Sequence, residues 1–275
     1  MRFKLIAFDL DGTVLHDDKT LGAETLCALD AAAEAGALIV PATGRIYGGV
    51  PEALRLRSFA RYFITINGAQ LYDAQRGEVI ARAEIPNDLA LRLTDYMAGL
   101  DVLYDCYKDD WGYVSGSLYE RAADYITDPG ILALFRRTRT QVPDLRSYLR
   151  EDGGSVQKLQ MHFRNLRERK RQLELLPQLF PEIAVSTSVG TNIELNIRQA
   201  NKGDALRALC AHLEIPLSET LAFGDGTNDL SMIRAAGLGV AMGNADFAVA
   251  AAADTVCDSN ERDGVAKFIE RLLAQ

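Results

Sequence analysis

Leu5-Ile6-Ala7-Phe8-Asp9-Leu10-Asp11-Gly12-Thr13 is the stretch from which the rest of the chain can be read. The apolar run Leu5–Phe8 is too short and too branched for a helix and reads as a buried strand. Asp9 then falls at the strand's C-terminal end, and Gly12 lets the backbone turn sharply. In open α/β sheets that end of the strands is where ligands bind. Two acids fixed there are costly unless a cation or a proton accompanies them. The same residues also fit an ordinary turn, with Asp-Gly after an apolar strand and Thr13 as a cap. The stretch alone does not decide between the two.

Bulk composition narrows the choice. The chain has 275 residues and is 48% hydrophobic, enough for one or two well-cored domains. Lys plus Arg is 30 against 38 Asp plus Glu, a net charge of −8, which disfavours nucleic acid and anionic membranes as partners. An anionic substrate therefore needs a local cation to overcome the global field. Cys27, Cys106, Cys210 and Cys257 lie far apart and read as small buried hydrophobes in a reducing compartment, not as a disulfide frame or zinc site. No segment is long and apolar enough to span a membrane. Asp9 and Asp11 interrupt the only N-terminal apolar run, so no signal peptide is expected and the expected location is the cytoplasm.

Taken in order, Leu21–Ala35 is a helix stopped by Gly36, Ala37–Val40 a strand, the region up to about Arg57 helical, and Tyr62–Ile66 a third strand. Strand, helix, strand, helix, strand predicts a doubly wound, Rossmann-like parallel sheet. From about Glu84 the chain changes character. Gln157–Phe163 alternates, with Gln157, Leu159, Met161 and Phe163 on one face and Lys158, Gln160 and His162 on the other, the pattern of a half-buried antiparallel strand. After Ser186 the first pattern returns. Asn192–Ile197 turns Ile193, Leu195 and Ile197 inward, a helix follows Lys202-Gly203, and Thr220–Phe223 is a strand. It leads into Gly224-Asp225-Gly226-Thr227-Asn228-Asp229, with Asn228 able to cap the next helix. The predicted fold is thus an α/β core, residues 1–83 and 187–275, with an inserted α+β domain, residues 84–186.

Four loops at strand or helix ends now carry polar groups in a fixed order: Asp9-Leu10-Asp11-Gly12-Thr13, Thr43-Gly44-Arg45, Lys202-Gly203 and Gly224-Asp225-Gly226-Thr227-Asn228-Asp229. Together they resemble the four motifs of the haloacid dehalogenase-like (HAD) superfamily. The insertion, Asn67-Gly68-Ala69 and Glu261-Arg262-Asp263-Gly264-Val265 resemble its Cof-type (subfamily IIB) phosphatases, over essentially the whole chain.

The resemblance implies a phosphatase of small phosphorylated metabolites, sugar phosphates or similar, working through an aspartyl-phosphate with Mg²⁺. Asp9 would be the nucleophile, since a carboxylate can attack phosphorus without a separate base. Asp11 would protonate the leaving alcohol and then activate water. Mg²⁺, which prefers oxygen ligands, is assigned by the family pattern to the Asp9 carboxylate, the Asp11 carbonyl and Asp225. Asp229, one helical turn after Asp225, would orient the site from behind these ligands or through a water. Thr43, Gly44, Lys202 and Asn228 would bind phosphate, although Thr43 and Asn228 can equally cap helices and a lone Lys is usually a solvated surface group. Gly226 stands where serine is common in the fourth motif, which removes a hydroxyl but no expected ligand.

Arg45 and Lys158 are candidate substrate contacts, and Tyr104, Tyr107, Trp111 and His162 are aromatic or titratable candidates in the insertion. For each the plainer reading is core, ion pair or solvated face. A phosphomutase or phosphotransferase would use the same aspartyl-phosphate but exclude water, and a non-catalytic metabolite-binding module would not need the intact acids. An ion-pump ATPase would need membrane helices that the sequence does not supply. Oligomeric state is not readable from these motifs.

Overall fold

The computed structural model describes residues 2–274. Its strands, in chain order, are β1 Leu5–Phe8, β2 Leu38–Pro41, β3 Tyr62–Thr65, β4 Gln70–Asp73, β5 Glu78–Arg82, β6 Val102–Lys108, β7 Trp111–Ser115, β8 Arg139–Val142, β9 Lys158–Phe163, β10 Ile183–Ser186, β11 Asn192–Ile197, β12 Thr220–Gly224, β13 Leu238–Ala241 and β14 Thr255–Val256. The chain divides into two compact units. One comprises Met1–Arg45, Val50–Arg82 and Asn201–Gln275, the other Ile46–Gly49 and Ala83–Ala200.

The first unit is built on a five-stranded parallel sheet in the order β14-β13-β12-β1-β2. Both of its faces are apolar, so it is covered on both sides. Leu5, Ala7, Val40 and Ala222 pack with Leu206 and Leu209 of helix Lys202–His212 and with Ile233 of helix Leu230–Ala235. Helices Ala23–Glu34 and Gly264–Leu273 pack together, and Phe268 of the latter meets Phe223 edge-on at 5.4 Å. The chain runs outward from β1 to β2, then re-enters at β12 on the other side of β1 and runs outward again. The order therefore reverses between β1 and β12, and the crevice at their carboxyl ends is the place such sheets bind ligands.

Two expectations in this unit need correcting. The predicted helix up to about Arg57 is only a single turn at Tyr47–Gly49 and a short helix at Glu52–Arg55, because Gly48, Gly49 and Pro51 interrupt it. The third strand bridges to the parallel sheet at Ala42–Ile64, but it mainly opens an antiparallel sheet, β3-β4-β5.

The second unit is a six-stranded sheet, β10-β11-β9-β6-β7-β8, antiparallel except for β7 beside β8. One face packs on helices Asn87–Ala98, Leu145–Asp152 and Leu166–Leu179. The boundary expected at residue 187 falls at Ala200 instead. Asn192–Ile197, read as a core strand, pairs antiparallel with β9, Ile193 opposite Met161 and Leu195 opposite Leu159. Its alternation is the pattern of β9 itself, and the two share one sheet. The polar face of β9 also differs from expectation: all of Lys158–Phe163 is buried, on both faces.

Candidate active site

All four sequence motifs lie in the first unit, at the loops that follow its strands and at the start of one helix. Asp9 directly follows β1, and its amide donates to Phe223 O of β12, prolonging the strand pairing by one residue. Asn201 caps helix Lys202–His212 by accepting from the Asp204 amide, which places Lys202 in the first turn. Lys202 is completely buried. Its Nζ donates to Asp9 Oδ1 at 2.6 Å and to Asp229 Oδ1 at 2.5 Å. Asp229 Oδ2 accepts from the Asp225 and Gly226 amides, each at 3.0 Å. Both Asp229 oxygens are thus engaged from within the protein.

Asp225 reaches toward the same point from β12. Thr13 Oγ1 donates to its Oδ1 at 2.8 Å. Its Oδ2 lies so close to Gly12 that a Cβ there would sit 2.3 Å away, and Gly12 has a φ of +78°, so glycine is required on both counts. Asp9, Asp225 and Asp229 each offer a carboxylate oxygen, all within 4.8 Å of one another. Burial pushes the Asp9 carboxyl well up, Lys202 pulls it back, and Asp229, Asp225 and Asp11 push it further up. Burial, then Asp229, pushes Asp225 up to about 7, against the Thr13 hydrogen bond and Lys202. Burial works to lower Lys202, but Asp229 and Asp9 more than offset it and hold the ammonium charged.

One ammonium among three carboxylates leaves a deficit of positive charge. Among the described residues no donor meets Asp9 Oδ2 or Asp225 Oδ2. The unengaged Asp225 Oδ2 beside the Asp9 carboxylate, in a charge-deficient pocket, fits a divalent cation of the Mg²⁺ type.

Asp11 is held differently. Arg45 donates Nε to its Oδ2 at 2.7 Å and a terminal nitrogen to its Oδ1 at 2.6 Å, and Lys19 Nζ lies 3.2 Å from Oδ1. Burial raises the Asp11 carboxyl, but these two cations outweigh it and hold it below the usual carboxylate range. Thr43 Oγ1 accepts from the Arg45 amide at 3.1 Å, which leaves its hydroxyl proton free to donate elsewhere. Asn228 does not cap a helix. Asp229 satisfies the nearby amides, and Asn228 Nδ2 donates to Asn67 Oδ1 at 3.2 Å.

The sequence matches the haloacid dehalogenase-like hydrolase family over residues 6–269. The chain belongs to that family. It is 30% identical over 268 residues, 97% of this chain and 94% of the relative, to the 5-amino-6-(5-phospho-D-ribitylamino)uracil phosphatase YcsE of Bacillus subtilis. A haloacid dehalogenase-like hydrolase from B. subtilis has the same fold, with a TM-score of 0.85 and 28% identity over 98% of this chain and 99% of that one. The fold is also that of the HAD subclass IIB sugar phosphatase BT4131, with a TM-score of 0.80 and 23% identity over 98% of each chain. The protein is therefore a phosphoric monoester hydrolase.

The remaining candidates of this HAD phosphatase lie in its second unit. Lys158 is buried, donates to Glu194 Oε1 at 2.9 Å and lies 4.2 Å from the Tyr107 ring centre. Tyr107 OH accepts from Arg139 at 2.6 Å, and Arg139 Nε also donates to Asp105 Oδ2. His162 is buried beside Phe135, and among the described residues neither ring nitrogen has a partner. Tyr104 lies in the apolar core, and Trp111 is partly exposed with its indole nitrogen on Thr140. These candidates thus lie in a buried polar network or in structural positions. Among the described residues no helix is long and apolar enough to cross a membrane, and all four cysteines are unpaired.

Two site residues went unassigned in the sequence. Asn67 was visible in Asn67-Gly68-Ala69 but carried no role. Asn244, just past β13, donates Nδ2 to Gly12 O at 2.8 Å, and its Oδ1 accepts from the Asn260 amide. Its signal was Met242-Gly243-Asn244, a small polar loop at a strand end like the other four.

Proposed function

We propose that this phosphatase hydrolyses small phosphorylated metabolites with Mg²⁺ through an aspartyl-phosphate on Asp9. One observation carries the reading. Asp9 is locked by Lys202 through one oxygen and keeps its other oxygen unengaged beside Asp225. A carboxylate anchored by one oxygen is preorganised to attack with the other.

Asp9 Oδ2 attacks phosphorus as the bond to the ester oxygen breaks, and the leaving oxygen takes a proton from Asp11. Asp11 then takes a proton from water, whose oxygen attacks phosphorus, releasing phosphate and regenerating the Asp9 carboxylate. In the structure both Asp11 oxygens accept from Arg45, so proton transfer requires that pair to part. Lys202 spends two of its three N–H groups on Asp9 and Asp229, leaving one for a phosphoryl oxygen. The Thr43 hydroxyl, the Gly44 segment and Asn228 supply further donors. The Asp9 carboxylate, the Asp11 carbonyl and Asp225 would hold Mg²⁺, with Asp229 orienting them. When bound, the ion supplies charge neutralisation for the transferring phosphoryl group.

Substrate choice is assigned to the second unit, in keeping with a first unit whose polar groups address only a phosphate. The substrate of YcsE, a phosphorylated ribityl compound by its name, places phosphorylated sugar-like metabolites first in a screen. Lys158, committed to Glu194, enters only as part of that unit's buried polar face. Asp9→Asn should abolish hydrolysis of p-nitrophenyl phosphate with the fold retained by circular dichroism. Activity within tenfold of wild type would sink the mechanism.

A further inference from the structure

The turn after β3 adopts a backbone that its sequence should resist. Ile66, Asn67 and Gly68 have φ of +53°, +58° and +93°, three consecutive left-handed residues. Glycine accepts this and asparagine tolerates it, but for a β-branched isoleucine it is a genuine outlier. Such strain persists only where surrounding contacts over-determine it.

The contacts here come from three of the four motif loops. The Ile66 amide donates to Arg45 O at 3.0 Å and the Asn67 amide to Thr43 O at 2.9 Å. Gly68 lies flat against the start of helix Lys202–His212, where a Cβ would be 2.3 Å from Asn201 O and 3.0 Å from Lys202 N. Asn67, 4% exposed, accepts from Asn228 Nδ2 at 3.2 Å. One strained turn thus joins the Thr43 loop, the Lys202 helix and the Asn228 loop, the three segments that carry the phosphate donors.

We propose that Asn67 is a positioning residue for phosphate, acting through Asn228. This rests on the reading that Asn228 and Lys202 take the phosphoryl group. An amide nitrogen has two N–H donors and an amide oxygen has none. By accepting one N–H, Asn67 Oδ1 fixes which end of the Asn228 side chain is nitrogen and holds its plane, leaving the second N–H to donate to an anion. The left-handed Asn67 backbone is what brings its short side chain to this place while its own amide stays tied to Thr43 O. Without the anchor, Asn228 can rotate and present its carbonyl oxygen to the phosphate instead.

The discriminating variant is Asn67→Gly, because glycine adopts a φ of +58° without strain and the substitution removes only the side chain. Inorganic phosphate binding is measured by calorimetry on the Mg²⁺-supplied full-length protein, with thermal midpoints alongside. Asn67→Gly should weaken phosphate roughly three- to tenfold, the range of one net hydrogen bond, with an unchanged midpoint. Asn228→Ala should weaken it by at least as much, and the double variant no more than Asn228→Ala alone. Unchanged phosphate affinity in Asn67→Gly overturns the proposal. So does a double variant whose loss is the product of the two singles, or a collapse of stability that shows the side chain to be structural. Wild-type turnover of p-nitrophenyl phosphate is read separately. Its absence counts against the aspartyl-phosphate reading, while phosphate binding still decides the role of Asn67.

Discussion

Replacing Asp225 by asparagine should make the metal-free protein more stable at neutral pH while removing its response to Mg²⁺. Burial, followed by repulsion from Asp229, moves the Asp225 carboxyl from 3.8 to about 7. In the unfolded chain the group ionises near 3.8; in the native state it keeps its proton to about 7. Between those values the native state binds more protons than the unfolded one, so stability falls as pH rises, and the loss is complete above about 7. About three pH units correspond to about 4 kcal/mol. Asparagine has nearly the same volume, carries no charge and keeps Oδ1 as acceptor for the Thr13 hydroxyl. In a chelator at pH 8 the variant should therefore melt higher than wild type, by on the order of 10 °C. At pH 4, where the wild-type carboxyl is protonated, the two should coincide.

Differential scanning calorimetry from pH 4 to pH 8, with and without Mg²⁺, checks both halves. Wild type should be stabilised by added Mg²⁺ in proportion to the logarithm of its concentration, and the variant should not. A D225N protein less stable than wild type at pH 8 in chelator would refute the charge argument. An unaltered Mg²⁺ response would refute the assignment of Asp225 as a ligand.

Three further outcomes follow from the same geometry. Lys202→Met leaves Asp9 and Asp229 buried without their ammonium and should cost about 3–5 kcal/mol at pH 7 by urea unfolding. Gly12→Ala forces a Cβ to within 2.3 Å of Asp225 Oδ2 at a φ of +78°, and should cost about 1–3 kcal/mol and weaken the Mg²⁺-induced rise in melting temperature. His162 is pushed down to about 4, chiefly by burial. The unfolded chain thus gains a proton below about 6.5 that the native state refuses until about 4, and stability drops through that window by about 3 kcal/mol. His162→Phe should remove this part of the acid sensitivity and lose nothing at pH 7, because neither ring nitrogen has a partner to give up.

The legible part of this protein is the part written locally. Asp9 and Asp11 are two residues apart at a strand end, and Asp225 and Asp229 lie within one loop. Reading the strands correctly was enough to bring these short segments to the same sheet edge. Less legible was anything that depended on which strand pairs with which. Asn192–Ile197 alternates like β9 because it is β9's neighbour, but alternation names no partner, so from sequence the strand reads as part of the core. Lys158 and His162 show the same limit: a polar face reads as solvated until the opposite charges that bury with it, Glu194 among them, are placed. Arg45 looked equally like a substrate contact and an ion-pair residue, and only the structure shows it bidentate on Asp11.

What the sequence conveyed least is that the site is held at a cost. Asp9 and Asp225 are buried against their own ionisation, Ile66 sits in left-handed backbone, and a single lysine balances two of the three carboxylates. Of these features only the lysine works in the fold's favour, and it offsets the cost in part. The deficit is carried by the sheet beneath, where Leu5–Phe8 and Leu221–Phe223 are fully buried on both faces between two helix layers. An apolar sheet of this kind can hold unfavourable groups at its carboxyl edge, because the strands that deliver them do not depend on those groups for their own stability. On this argument substitutions that relieve the edge, Asp225→Asn first among them, gain stability and lose chemistry, whereas substitutions under β1 or β12 lose both.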